Sequence, residues 1–145
     1  MKLMYKYNIL TEEVKSDFAF EVFADSLHEL FQGAGKAMML AMVDIAELEI
    51  DQRWNFELKS ENLKLLLLDF LGELVYLKDV ESCLFKDYKI NIKEENGYSL
   101  RCTAYGTSIN YEKNEIFTDV KAVTMHKFIL EKREKEWYCH VIVDL

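Results

Sequence analysis

The last quarter of the chain constrains the fold most. Asp119-Val120-Lys121-Ala122-Val123-Thr124-Met125-His126 and the closing run from Trp137 through Val141-Ile142-Val143-Asp144-Leu145 are strand-like, and the charged Lys132-Arg133-Glu134-Lys135-Glu136 lies between them. Two β-rich runs around a polar turn predict an antiparallel hairpin. Folded back at Arg133–Glu134, the hairpin sets Asp144 opposite Val123 or Thr124, with Lys121 about one diagonal pair away. An ammonium and a carboxylate then meet at the hairpin's open end, beside the chain terminus.

The preceding residues supply what such a hairpin packs against. Met4 to Leu10 carries a weak strand pattern, whereas Asp17 to Ala24 puts Phe18, Phe20, Val22 and Ala24 on one face. Ser26 and Glu29 form a capping box, and Leu27, Leu30, Phe31, Ala34, Ala37, Met38 and Ala41 continue it as one apolar stripe of a helix. Gly33 and Gly35 cost that helix roughly 1 kcal/mol each relative to Ala, unless they let it approach a sheet closely. Asp44 ends this segment, and Glu47 to Lys59 reads as a strand. Ser60 is positioned to cap a second helix running to about Lys78, apolar on most of its circumference and therefore buried. Leu84 to Lys93 and Tyr98 to Tyr105 are strands joined by Glu94-Glu95-Asn96-Gly97, a strong hairpin signal. Residues 106–117 form a loop. The expected class is α+β, with a mixed or antiparallel sheet and two helices packed on one face. With 145 residues, half of them hydrophobic, no Pro and five Gly, the chain has no candidate linker and reads as a single domain over 1–145.

Charge and motif content remove several functions. The net charge of −8, from 26 acidic and 18 basic residues, suits solubility, cation binding or docking to a basic protein surface. It does not suit gripping phosphates, so direct nucleic-acid binding is not expected. Cys83, Cys102 and Cys139 are widely spaced, without a CxxC pair, and read as core residues. The N-terminus lacks the apolar stretch of a signal peptide, and Leu65-Leu66-Leu67-Leu68 is far too short to span a bilayer. A cytoplasmic location with no membrane contact is the expectation. Nucleophile-elbow, P-loop and dinucleotide-turn motifs are all missing from the sequence. His28 falls in a helix first turn, and the hairpin puts His126 and His140 roughly opposite each other, as polar filler or a weak metal site.

What remains is carboxylates at element ends. Asp17 begins a strand, Asp44 follows a helix, and Asp144 ends the last strand beside Leu145, whose α-carboxylate is one more oxygen donor. Oxygen-only clusters hold hard cations such as Ca²⁺ or Mg²⁺. The alternative is three solvated surface groups. For Lys121 the alternative is an ion pair with Asp144, worth about 0–1 kcal/mol near a surface.

The sequence resembles the archease family, small proteins that assist RtcB-type tRNA-splicing RNA ligases. Thr118-Asp119-Val120-Lys121-Ala122-Val123-Thr124-Met125-His126 is similar to the family's T-[ED]-V-K-A-[VI]-T-Y-H, and Trp137 to Leu145 resembles its W-x-[VA]-x-V-[VI]-[VIL]-D-[VI] ending. Ser16-Asp17-Phe18 matches the end of its D-H-[TS]-[AS]-D-[VIL] motif. Ser26-Leu27-His28-Glu29-Leu30-Phe31 matches its T-L-E-E-[AL]-F helix start, and Met42-Val43-Asp44 its M-[TV]-D. The chain departs from the pattern at Glu13-Val14, which stand for Asp-His, at Lys15 for the following Thr, and at Met125 for Tyr, as in a divergent member. The resemblance implies a sheet with two helices packed on it. It also implies a calcium-type site made by Asp17, Asp144 and the carboxyl group of Leu145, with Asp44 nearby. Lys121 is implied to serve ligase activation, by a protein that promotes guanylylation and repeated turnover without ligating RNA itself. A non-catalytic, metal-binding partner of an RtcB-type RNA ligase is thus the expected function. An interaction or chaperone-like module that has lost ligase activation is the alternative. A metal-dependent hydrolase lacks an evident general base or nucleophile.

Overall fold

The structure, a computed structural model, describes residues 4–10 and 17–145. Among these residues eight strands and two α-helices follow in the order β1 Tyr5–Leu10, β2 Asp17–Ala24, α1 Leu27–Met39, β3 Gln52–Ser60, α2 Leu63–Glu81, β4 Cys83–Glu94, β5 Tyr98–Ser108, β6 Ala122–Val123, β7 Ile129–Lys132 and β8 Trp137–Asp144. The α+β class with two helices holds. The strands divide between two antiparallel sheets: β1-β2-β8-β6, with β7 also on β8, and β3-β5-β4.

Period-two patterning places the core. Phe18, Phe20 and Val22 on β2 oppose Val143, Val141 and Cys139 on β8, and this face meets α1. Ser26 caps α1 as expected: its Oγ accepts from the Glu29 N–H and donates to the Glu29 carboxylate at 2.6 Å. The two glycines mark a close approach. A Cβ on Gly33 would lie 2.7 Å from Val22 Cγ1, and one on Gly35 would lie 2.6 Å from Tyr88 Cε2. The Gln32 side-chain amide also donates to the Tyr88 carbonyl at 3.0 Å, so α1 runs against β4 as well. Helix α2 is buried through Leu66, Leu67, Phe70, Leu71 and Leu74, packing on β3, β5 and β4 and touching β6 and β7. The three thiols lie in the core, and burial pushes each up to about 12.

Several boundaries move, for identifiable reasons. Ser60 remains in β3, paired with Tyr98, so Asn62 caps α2 instead, its Oδ1 accepting from the Leu65 N–H at 2.9 Å. A turn of 3-10 helix over Ile45–Glu47 takes the residues before β3 out of the strand. Asn96 and Gly97 both have positive φ, 52° and 101°, as the Asn-Gly hairpin signal requires. The expected strand Asp119–His126 contracts to Ala122–Val123. Beyond it Lys127 is left-handed, at φ 50°, and Phe128 is buried in the core before β7 begins. The fold-back is at Arg133–Glu136, where the Arg133 N–H donates to the Glu136 carbonyl at 2.8 Å.

Candidate functional site

The two middle strands of the larger sheet, β2 and β8, end side by side, and the chain's first described acid after residue 16 meets its last. Asp17 pairs directly with Asp144 across β2 and β8, and Ala122 of β6 pairs with Asp144 from the other side. Leu145 follows at once. Inward-facing positions on these strands are Phe18 and Val143, so the side chains of Asp17 and Asp144 fall together on the outer face. Asp144 is exposed and Asp17 half-buried. Like charges directly opposite each other on paired strands repel. Two carboxylates side by side are hard oxygen donors, the ligand type that Ca²⁺ and Mg²⁺ prefer. In donor type, the two side chains suit a hard cation. Among the described residues no three His, Cys, Asp or Glu side chains gather into a metal group.

Lys121 is on the opposite side of the sheet. Its N–H donates to the Asp144 carbonyl at 2.9 Å, which ties the two backbones together. Ala122 shares a face with Asp144, so the residue before it points the other way, into a cleft between β6 and α2 lined by Gly72, Tyr76, Asp79, Val123 and Met125. The expected ion pair with Asp144 does not form: among the described residues Lys121 makes no salt bridge. Thr124 closes the segment, its N–H and Oγ both donating to the Ile142 carbonyl, at 3.0 and 2.9 Å.

A second lysine holds this segment in place. Lys78, near the end of α2, is 4% exposed, and its Nζ donates to Asp119 Oδ1 at 2.5 Å, Asp79 Oδ1 at 2.6 Å and the Val120 carbonyl at 3.0 Å. All three N–H donors of the ammonium are used. Burial opposes its charge, but the hydrogen bonds and attraction of Asp119 and Asp79 outweigh that and raise its pKa above the ordinary value. In the sequence Lys78 marks only a helix end. The one available signal is a lysine in the last turn of a helix that is apolar nearly all round.

The other expected site residues are dispersed. Asp44 caps the 3-10 turn, its Oδ1 accepting from the Ala46 N–H at 3.1 Å, and it is exposed. The histidines do not pair: His140 opposes Ile129 and its Nδ1 lies 2.8 Å from the Lys127 carbonyl oxygen, while His126 sits in the turn before β7. Glu13, Val14, Lys15 and Ser16 lie outside the described residues.

Comparison with known proteins gives one answer. A model of the Archease protein family matches residues 7–145. Protein archease of Pyrococcus abyssi is 33% identical over 135 residues, 92% of this chain and 95% of that protein, and Protein archease of Thermococcus gammatolerans is 34% identical over the same shares. The solution structure of protein 1598 of Methanobacterium thermoautotrophicum superposes with a TM-score of 0.83 at 31% identity, covering 99% of this chain and 100% of that one. A crystal structure from Thermotoga maritima, described as an archease and possible chaperone, has a TM-score of 0.60 at 18% identity, over 94% and 96% of the two chains, and supports the fold alone.

Proposed function

Because this chain belongs to the archease family, we propose that it is a non-catalytic, metal-binding accessory protein that activates an RtcB-type RNA ligase in tRNA splicing or RNA repair. The observation that carries this reading is the split at the end of the larger sheet. Asp17 and Asp144 face each other beside Leu145 on one side, and on the other Lys121 has no carboxylate partner among the described residues. Repulsion between Asp17 and Asp144 is relieved when a cation lies between them. Ca²⁺ or another hard divalent ion such as Mg²⁺ would be held by Asp17, Asp144 and the carboxyl group of Leu145, without Asp44, which caps the 3-10 turn instead. Such an ion supplies neutralisation, not chemistry.

The work on the partner falls to Lys121. Its backbone is clamped by the Asp144 carbonyl below and by Lys78 through Asp119 and Val120 behind, so only the side chain is free to move. An exposed ammonium on a fixed stem is suited to an acidic or phosphate group in the ligase's nucleotide site, favouring its guanylylated state. The test is multiple-turnover ligation by the ligase with and without this protein. Lys121→Ala should remove the stimulation while leaving the melting temperature within about 1 °C, as for an exposed side chain. Full stimulation by that variant sinks the reading.

A chaperone-like interaction module that has lost ligase activation is the second reading, favoured by Glu13-Val14 standing where the family pattern has Asp-His. It predicts binding to the ligase, or to other proteins, without any change in turnover.

A further inference from the structure

Helix α2 carries a glycine that the fold does not need. Gly72 lies in the middle of a 19-residue helix, is exposed, and a Cβ built on it would meet nothing within 4 Å. In a helix interior glycine is less favourable than alanine, and here no neighbour forbids alanine. This sets it apart from Gly33 and Gly35, which are wedged against Val22 and Tyr88. The empty space over Gly72 is the cleft of about 670 Å³ that Lys121 enters, whose opposite wall is Ala122, Val123 and Met125.

The cleft has the composition of a docking surface. Tyr76 and Met125 on its two walls are 57% and 54% exposed, large apolar groups of the types enriched at the centres of interfaces. Asp69, Gly72, Glu73 and Tyr76 fall on one helix face, so two carboxylates edge the apolar floor, with Asp79 beyond them held by Lys78. Desolvation raises the Glu73 carboxyl group above its ordinary pKa. Between Asp69 and Glu73, missing side-chain bulk at Gly72 lets another chain come down onto the backbone of α2.

The geometry points to this cleft as the place where a cationic segment of the ligase, carrying apolar side chains, docks against the Gly72 face of α2 and is brought beside Lys121. It rests on the ligase reading above and names the surface that reading leaves open. The acidic edge selects the sign of the segment's charge. The exposed tyrosine and methionine select its apolar side, and the glycine selects close backbone approach.

Filling the cleft tests the assignment, because stability and binding move in opposite directions. Gly72→Ala should raise the melting temperature by about 2–4 °C, since the helix gains propensity and nothing clashes. It should nonetheless weaken binding to the ligase, measured by calorimetry with the purified ligase as the probe. Gly72→Leu should weaken binding by about tenfold or more with no loss of melting temperature, and Glu73→Lys should do the same by charge reversal. Wild-type affinity in both Gly72 variants overturns the cleft as the docking surface, even if Lys121→Ala has abolished stimulation. Wild-type affinity in Glu73→Lys overturns the cationic segment. A wild-type protein that binds the ligase without stimulating it sinks the activation reading alone, and the Gly72 variants still decide the cleft. A concentration-dependent dimer of this protein that Gly72→Leu dissolves puts a second copy in the cleft and overturns the ligase assignment.

Discussion

At the scale of single residues, Lys78 shows how a charge can be structural and Lys121, a few residues along the segment it holds, functional. Lys78→Met keeps most of the apolar stem and removes the ammonium. Asp119 and Asp79 are exposed and can return to water, but the Val120 carbonyl loses its donor. The expected cost is about 1–3 kcal/mol by chemical denaturation, with ligase stimulation falling because Lys121 is no longer held. The pH dependence has a definite sign. The folded-state pKa is raised above the ordinary value of 10.5, so the stabilisation is complete below pH 10.5 and is lost as pH rises through the folded value. Unfolding free energies measured from pH 9 upward should therefore decline more steeply in the wild type than in Lys78→Met. Parallel curves would show that Lys78 adds nothing. Asp17, Asp144 and Lys121 stand out in the sequence because their types and neighbours match a known pattern, and the structure pairs Asp17 with Asp144. Lys78 does not, because its partners are Asp119 and Val120, and only the tertiary packing of α2 brings them together.

At the scale of elements, the sequence placed α1 and its cap well because the signals are local. The Ser26–Glu29 box and a stripe at spacings of three and four need no tertiary information. From sequence the β6–β7 region reads as one strand because Val120, Val123 and the residues around them fit a strand. The decisive event there is the burial of Phe128, which breaks the pairing and shifts the register between Ala122–Asp144 and Ile129–His140. With the turn itself at Arg133–Glu136, the partner of Asp144 is Ala122 rather than the expected Val123 or Thr124. The glycines of α1 were legible as a choice between a cost and a close approach, and the structure decides for close approach. Gly35→Ala should destabilise by about 1–3 kcal/mol, since its methyl group would sit 2.6 Å from the buried ring of Tyr88 and α1 must shift to relieve it. Equilibrium unfolding in urea measures it, and an unchanged midpoint would mean that Tyr88 gives way freely.

At the scale of the whole molecule, acid content and docking agree. Negative net charge suits both the proposed cation, at the ends of the middle strands β2 and β8, and the proposed basic partner segment beside β6. Calorimetric titration with Ca²⁺ checks the first. A peptide extension after Leu145 converts the terminal carboxylate into an amide, and binding should weaken by about tenfold, ~1.4 kcal/mol. Equal affinity with and without the extension would remove Leu145 from the donor set. No helix among the described residues is long and apolar enough to cross a membrane.

The position of β8 also sets a timetable for folding. It is the last strand in chain order, yet it lies between β2 and the pair β6 and β7. Strands β3, β4 and β5 and helix α2 have all left the ribosome well before it and can pair among themselves. For β2 there is no such early partner on its inner side: Phe20, Val22 and their neighbours wait, uncovered on one edge, until Val141 and Cys139 emerge. A chain interrupted within Trp137–Asp144 is thus left with a half-finished sheet and an open apolar edge along β2.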